Sequence, residues 1–193
     1  LREGADLARE IGRPYLEVGC LAQLGFASLV LHSYATTQRR CREAIALAER
    51  HGWGAEPVIA PALIMLAGTM IWTGEFDEGE RWLQRTRQAL ETDTGPDITL
   101  LLHQTAGLLH AGRGRNHEAL DEFGAAEYLG SQLADSQALA TRTTRWLLAT
   151  QARLGMTGHA RALLAALDDE RASSGEIRNT LAVICLAEGD PAA

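Results

Sequence analysis

Lysine is missing altogether: all 18 basic residues among the 193 are arginine. Without lysine the chain can supply no phosphate-loop lysine, no pyridoxal Schiff base and no lysine general base. The same bias fits the codon usage of a high-GC bacterial genome. Cysteine is scarce too. Cys20, Cys41 and Cys185 are dispersed without CxxC spacing. They read as small apolar helix residues in a reducing cytosol, neither a disulfide frame nor a metal site. Five prolines and 5% aromatics leave a chain rich in Ala, Leu, Arg and Glu, which favours helix over sheet. Positive charge is outweighed: the net charge is −7 and the pI about 5.4. No general attraction to nucleic acid or to an anionic membrane is expected. The first residues show no charged n-region, apolar h-region and cleavage site in succession, so a cytoplasmic location is expected.

What is present is a repeat. The segment Gly107–Ala126, GLLHAGRGRNHEALDEFGAA, reads as the end of one helix, a glycine break and the start of another. Gly107 and Ala119 have almost no side chain, so two helix backbones can approach there, and Phe123 fills the remaining space. The break glycine, Gly114, has counterparts at His32, Gly74, Gly155 and Gly189, spaced by 42, 40, 41 and 34 residues along the series. The small residue seven before it recurs as Gly25, Ala67, Gly107, Leu148 and Ala182. Five after it stand Thr37, Gly79, Ala119 and Ala160, and the large residue recurs as Cys41, Leu83, Phe123 and Leu164. Columns kept in register over a period near 40 mark an array of stacked helix hairpins. The chain is long enough to bury a core as one elongated unit rather than two globes.

The expected elements follow in order. Leu1 to Ile11 is an amphipathic helix that looks like the second half of a repeat whose first helix precedes the sequence. Pro14 to about Leu31 and Tyr34 to His51 make a hairpin, and HGWGAEP is the loop after it. Pro57 to Gly74 holds 18 residues without a charge. That length would permit a membrane span, but two prolines, two glycines and the missing basic flanks favour an inner helix covered on several sides. Glu75 to Glu91 returns and DTGPD turns. Ile98 to Ala111 pairs with Asn116 to about Leu129, and Leu133 to Leu154 pairs with Thr157 to Arg171, Thr157 serving as N-cap. Glu176 to Glu188 is one more inner helix, and Gly189-Asp190-Pro191 begins another element. In domain terms this is one array over 1–193, with repeats at 1–11 (partial), 14–51, 57–91, 97–130, 133–171 and 174–193 (partial). Such a chain reads as a piece of a longer protein. Two departures stand out. His32 and Thr37 replace the expected Gly and Ala, which predicts a wider first turn. Leu148 replaces a small residue, which predicts that its helices are pushed apart.

Catalytic chemistry is not signalled. His103 and His110 share a helix face, but seven residues separate them by about 10 Å along the axis, too far for one zinc ion. Both fall on packing positions. Gly112-x-Gly114 lacks the strand before it and the third glycine of a phosphate loop. Asp121, Glu122 and Glu127, like Asp77, Glu78 and Glu80, lie on outer return helices as solvated surface. No cofactor, metal or enzyme activity is expected.

GLLHAGRGRNHEALDEFGAA resembles the tetratricopeptide consensus, with Gly107, Gly114, Ala119, Phe123 and Ala126 at its small and large positions. With LAREIGRPYLE, ALAERHGWG and IWTGEFDEGERWLQRTRQAL, the chain as a whole is similar to the superhelical region of MalT-like, LuxR-type transcriptional regulators. The resemblance implies an all-α, right-handed superhelix of stacked antiparallel helix hairpins. It implies a non-catalytic sensor for a small-molecule inducer or a protein or peptide partner, with nucleotide-binding and DNA-binding modules lying elsewhere in such proteins. A scaffold for self-association or for docking another protein is the other reading. Transferring the groove of tetratricopeptide arrays places candidate contacts at Phe26, Leu29, Ile64, Ile71, Trp72, Gln104 and Leu108, then Arg142, Arg145 and Arg153. The arginines could present neighbouring guanidinium groups to one anion. Ordinary inter-repeat packing and arginine–carboxylate pairing are the alternative for the same residues.

Overall fold

The computed structural model describes residues 1–89, 95–133 and 137–190, apart from the side chains of 137 and 138. Among these residues the chain is helical, with 11 α-helices, one 3₁₀ turn and no strand. It divides into two compact units, Leu1–Ile98 and Thr99–Ala193. The expected ends at Glu91 and Pro191 and the first two residues of the DTGPD turn, Asp93 and Thr94, lie outside the described residues.

The first unit contains α1 (Arg2–Glu10), α2 (Pro14–Val30), α3 (Tyr34–Arg50), a 3₁₀ turn at Pro57–Ile59, α4 (Ala60–Trp72) and α5 (Phe76–Ala89). Pro14 occupies the first turn of α2, where a missing N–H costs nothing. Helix α2 packs on α1 and α3, and α4 packs on α3, α5 and α2. Every residue from Ala62 to Ile71 is buried. That enclosure explains the uncharged run: a helix covered on all sides needs no polar face. At 13 residues it is too short for a bilayer, and no helix among the described residues is long and apolar enough to cross one.

The second unit contains most of α6 (Pro96–Gly112), then α7 (Asn116–Ser131), α8 (Gln137–Arg153), α9 (Thr157–Ala165), α10 (Asp169–Ser173) and α11 (Gly175–Glu188). Helix α8 packs on α7, α9 and α11. The paired columns meet as the spacing predicts. A Cβ on Gly107 would lie 2.4 Å from the Phe123 ring, so only glycine fits. Thr37, Ala119, Ala160, Cys41, Leu83 and Phe123 are all fully buried.

The turn column holds at every position. Gly74, Gly114, Gly155 and Gly189 have φ of 84, 74, 72 and 76°. In each turn the following N–H reaches back five residues, as in Arg115 to His110 at 2.9 Å and Glu75 to Met70 at 2.8 Å, which closes the helix end. The first turn is not wider. His32 adopts φ 55° and the Ser33 N–H donates to the Ser28 carbonyl at 2.9 Å, the same closure reached without glycine.

Other expectations need correction. Thr157 is the first residue of α9, whose N-cap is Met156, and it caps nothing. Helix α9 ends at Ala165 rather than Arg171. The Asp168 carboxylate accepts the Arg171 N–H at 2.8 Å and so begins a separate helix, α10. An acidic N-cap stabilises a new start better than a continuing interior. At the fourth hairpin the larger share of the packing falls to Leu148. Leu148 is fully buried with Ala152, Ala160, Ile177 and Ile184, and Leu164 is only partly buried beside them.

Candidate functional site

The site is built on α8, α10 and the first turn of α11. Ser174 has extended backbone between α10 and α11, and its hydroxyl accepts the Ile177 N–H. The Gly175 and Glu176 amides, in the first turn of α11, are left without an intrahelical acceptor. These residues, with Thr141, Arg142, Glu170 and Arg171, line a cleft of about 480 Å³. That volume falls within the roughly 300–1,000 Å³ of small-molecule sites. Its walls carry charges of both signs.

Among the described residues the side chains of Arg142, which is half-buried, and Glu170, which is exposed, have neither a hydrogen bond nor an ion pair. Arg145, one turn beyond Arg142, lies over the Trp146 ring at 5.4 Å from its centroid. Its Nε is buried without a hydrogen bond, and the nearest carboxylate, Glu176, is 4.0 Å away. Burial pushes the Arg145 guanidinium below its ordinary pKa; Glu176 raises it and the like charge of Arg142 lowers it further. Positive charge at this end of α8 is thus only partly compensated.

A buried network orients the helix that carries these arginines. Gln104 on α6 donates to the Leu139 carbonyl at 3.0 Å and to the Thr143 hydroxyl at 2.6 Å. Thr144 donates to Glu127 on α7 at 2.9 Å, and Arg171 donates to both Thr144 and Glu127. Trp146 stacks on Phe123, with ring centroids 5.6 Å apart. The rotation of α8 is therefore fixed from α6, α7 and α10, and Arg142 and Arg145 are set on its remaining side.

The positions transferred from the tetratricopeptide groove divide. Arg142 lines the cleft and Arg145 adjoins it, whereas Arg153 is exposed in the last turn of α8 and does not line it. Gln104 is 3% exposed, its amide spent inside the fold. Leu108 packs beside Phe123 and Leu147. In the first unit Ile64 is fully enclosed and Ile71 buried, so both are core. Phe26 and Leu29 are half-buried, and Trp72 is 50% exposed at the end of α4.

Two carboxylates expected on solvated faces turn inward instead. Glu127 accepts from Thr144 and Arg171. Glu122 meets His103 Nδ1 at 2.6 Å. Arg171, Glu170 and Ser174 were not singled out by spacing. The Asp168-Asp169-Glu170 run after Leu167 was the available signal, because acidic residues mark a helix start. Among the described residues no group of three or more His, Cys, Asp or Glu side chains is placed to hold a metal ion.

A different surface lies on the first unit. Leu7 of α1, Ile11 just after it, and Tyr15 and Leu16 of α2 are each about half exposed around an apolar groove of about 400 Å³. Compared with family models and with curated proteins, the chain matches none.

Proposed function

We propose that this chain is a non-catalytic sensor module of the kind found in MalT-like, LuxR-type regulators, and that it takes a small anionic ligand at the arginine side of α8. The superhelical stacking of its hairpins, a cytoplasmic location and a role in transcriptional regulation belong to the same reading. One observation carries it: Arg142, with no partner of its own, lines a ligand-sized cleft beside unpaired amides of the α11 first turn. Guanidinium and helix N-terminal N–H groups together suit a carboxylate or phosphate oxygen. The scaffold reading keeps support from the apolar groove on α1 and α2, since exposed apolar patches mark protein contacts.

The test is a calorimetric panel of small carboxylates and phosphates at 150 mM salt. The parent should bind at least one, and Arg142→Ala with Arg145→Ala should weaken it by about tenfold or more, near 1.4 kcal/mol. Trp72→Ala should not change it. If the double variant stays folded and binds every hit like the parent, the assignment is wrong.

A further inference from the structure

We infer that the ligand of the α8–α11 cleft is a small zwitterion, a free amino acid or a close analogue, rather than a simple anion. The inference rests on the anion-binding reading above and adds the second half of the site. Two unpaired side chains of opposite sign, Arg142 and Glu170, line one cleft and do not pair with each other. Side chains of opposite charge that share a wall usually close on one another when they can reach. These two stand on different helices, each fixed by other bonds. Arg142 is on α8, whose rotation is set by Gln104 to Thr143 and by Thr144 to Glu127. Glu170 is in the first turn of α10, which is anchored by Asp168 at its N-cap and by Arg171 reaching Glu127.

A ligand with one charge would satisfy one wall and leave the other unmatched. A carboxylate against Arg142 and the Gly175 and Glu176 amides would also bring a negative group toward Glu170 and Glu176. Charge complementarity is met on both sides only if the same molecule carries an ammonium for the carboxylate wall. The cleft, about 480 Å³, has room for the backbone of an amino acid and a side chain beside it. Thr141 and Ser174 add hydroxyls to the same lining.

The test titrates the 193-residue chain with each proteinogenic amino acid, and with the N-acetyl and carboxamide forms of the best binder. The expected result is binding of at least one free amino acid, weakened about tenfold or more by either cap. Glu170→Gln should weaken the free amino acid to a similar extent and leave the N-acetyl form unchanged. Arg142→Ala should weaken both. An N-acetyl form binding as tightly as its parent, or a phosphate binding through Arg142 while no amino acid binds, overturns the zwitterion and leaves the anion site standing. If neither amino acids nor the anion panel bind, both readings fall.

Discussion

The two units solve the same packing problem with different material. In the first, Gly25 lies against Cys41, and a Cβ on that glycine would come within 2.6 Å of the sulfur. In the second, Gly107 lies against the Phe123 ring, which a Cβ would meet at 2.4 Å. One small and one larger residue close each hairpin, but a thiol fills little space and a phenyl ring fills much. The interiors diverge further. Helix α4 of the first unit is buried almost entirely through apolar atoms. Both units bury polar side chains, Glu17, Ser28, Thr37, Thr69 and Thr86 in the first and Gln104, Thr105, Thr143, Thr144, Thr150 and Thr180 in the second. What sets the second apart is side-chain bonds from Gln104, Thr144 and Arg171 that tie α8 to α6, α7 and α10. An apolar core fixes helices by shape and tolerates rotation and slip among similar packings. A hydrogen-bonded core admits one rotation only, because a misplaced buried donor is costly. Helix α8, held by those bonds, is also the one that carries Arg142 into the cleft.

The largest expected effect breaks the packing half of this contrast. Phe123→Ala should cost about 3–5 kcal/mol, since a fully buried aromatic leaves a cavity that the hairpin cannot close. Cys41→Ala should cost far less, about 1 kcal/mol, because it removes one atom. Urea unfolding would measure both. Equal losses would mean that the size of the filling residue does not set the cost.

Next, Gly107→Ala should destabilise by about 1–3 kcal/mol through overpacking against Phe123. Adding Phe123→Leu should recover part of that loss. A double-mutant cycle reads the coupling; strict additivity would show that the glycine is not there for the ring. A third variant probes the polar interior. Gln104→Leu removes the donor to the Thr143 hydroxyl and one of the side-chain donors to the Leu139 carbonyl, which Thr143 still reaches, and should cost about 1–3 kcal/mol. An apolar core would not object to leucine, so an unchanged midpoint would contradict the account.

The smallest effect concerns the first turn. His32 holds φ 55°, where a side chain costs about 1–2 kcal/mol. His32→Gly should therefore stabilise by up to about 1 kcal/mol, while Gly114→Ala in the matching turn should destabilise by a similar amount. Thermal midpoints of the two variants should move in opposite directions.

These sites show what a sequence can carry. The turn column and the close-approach column were legible because each follows from one residue's own geometry. A glycine that needs positive φ, or that must admit a ring, leaves a mark at a fixed spacing. The enclosure of α4 was legible from its missing charges. The cleft was less so. Arg142 and Arg145 stood out on α8, but Arg171 and Glu170 were absorbed into a return helix that stops at Ala165. Their placement depends on the Asp168 cap and on a contact from α10 back to Glu127, 44 residues earlier. Pairings of that span are decided by folding, not by local pattern. For the same reason Glu122 and Glu127 read as surface until His103 and Thr144 were seen opposite them.

The central claim is that recognition belongs to the second unit, at the α8–α11 cleft. Amide chemical-shift mapping during titration with the best-binding small ligand tests it most directly. The account predicts that the resonances of Arg142, Arg171, Gly175 and Glu176 move together, with one saturation curve, while those of Leu7, Ile11, Tyr15 and Leu16 stay fixed. Shifts concentrated on α1 and α2, with the α11 first turn unmoved, would contradict it.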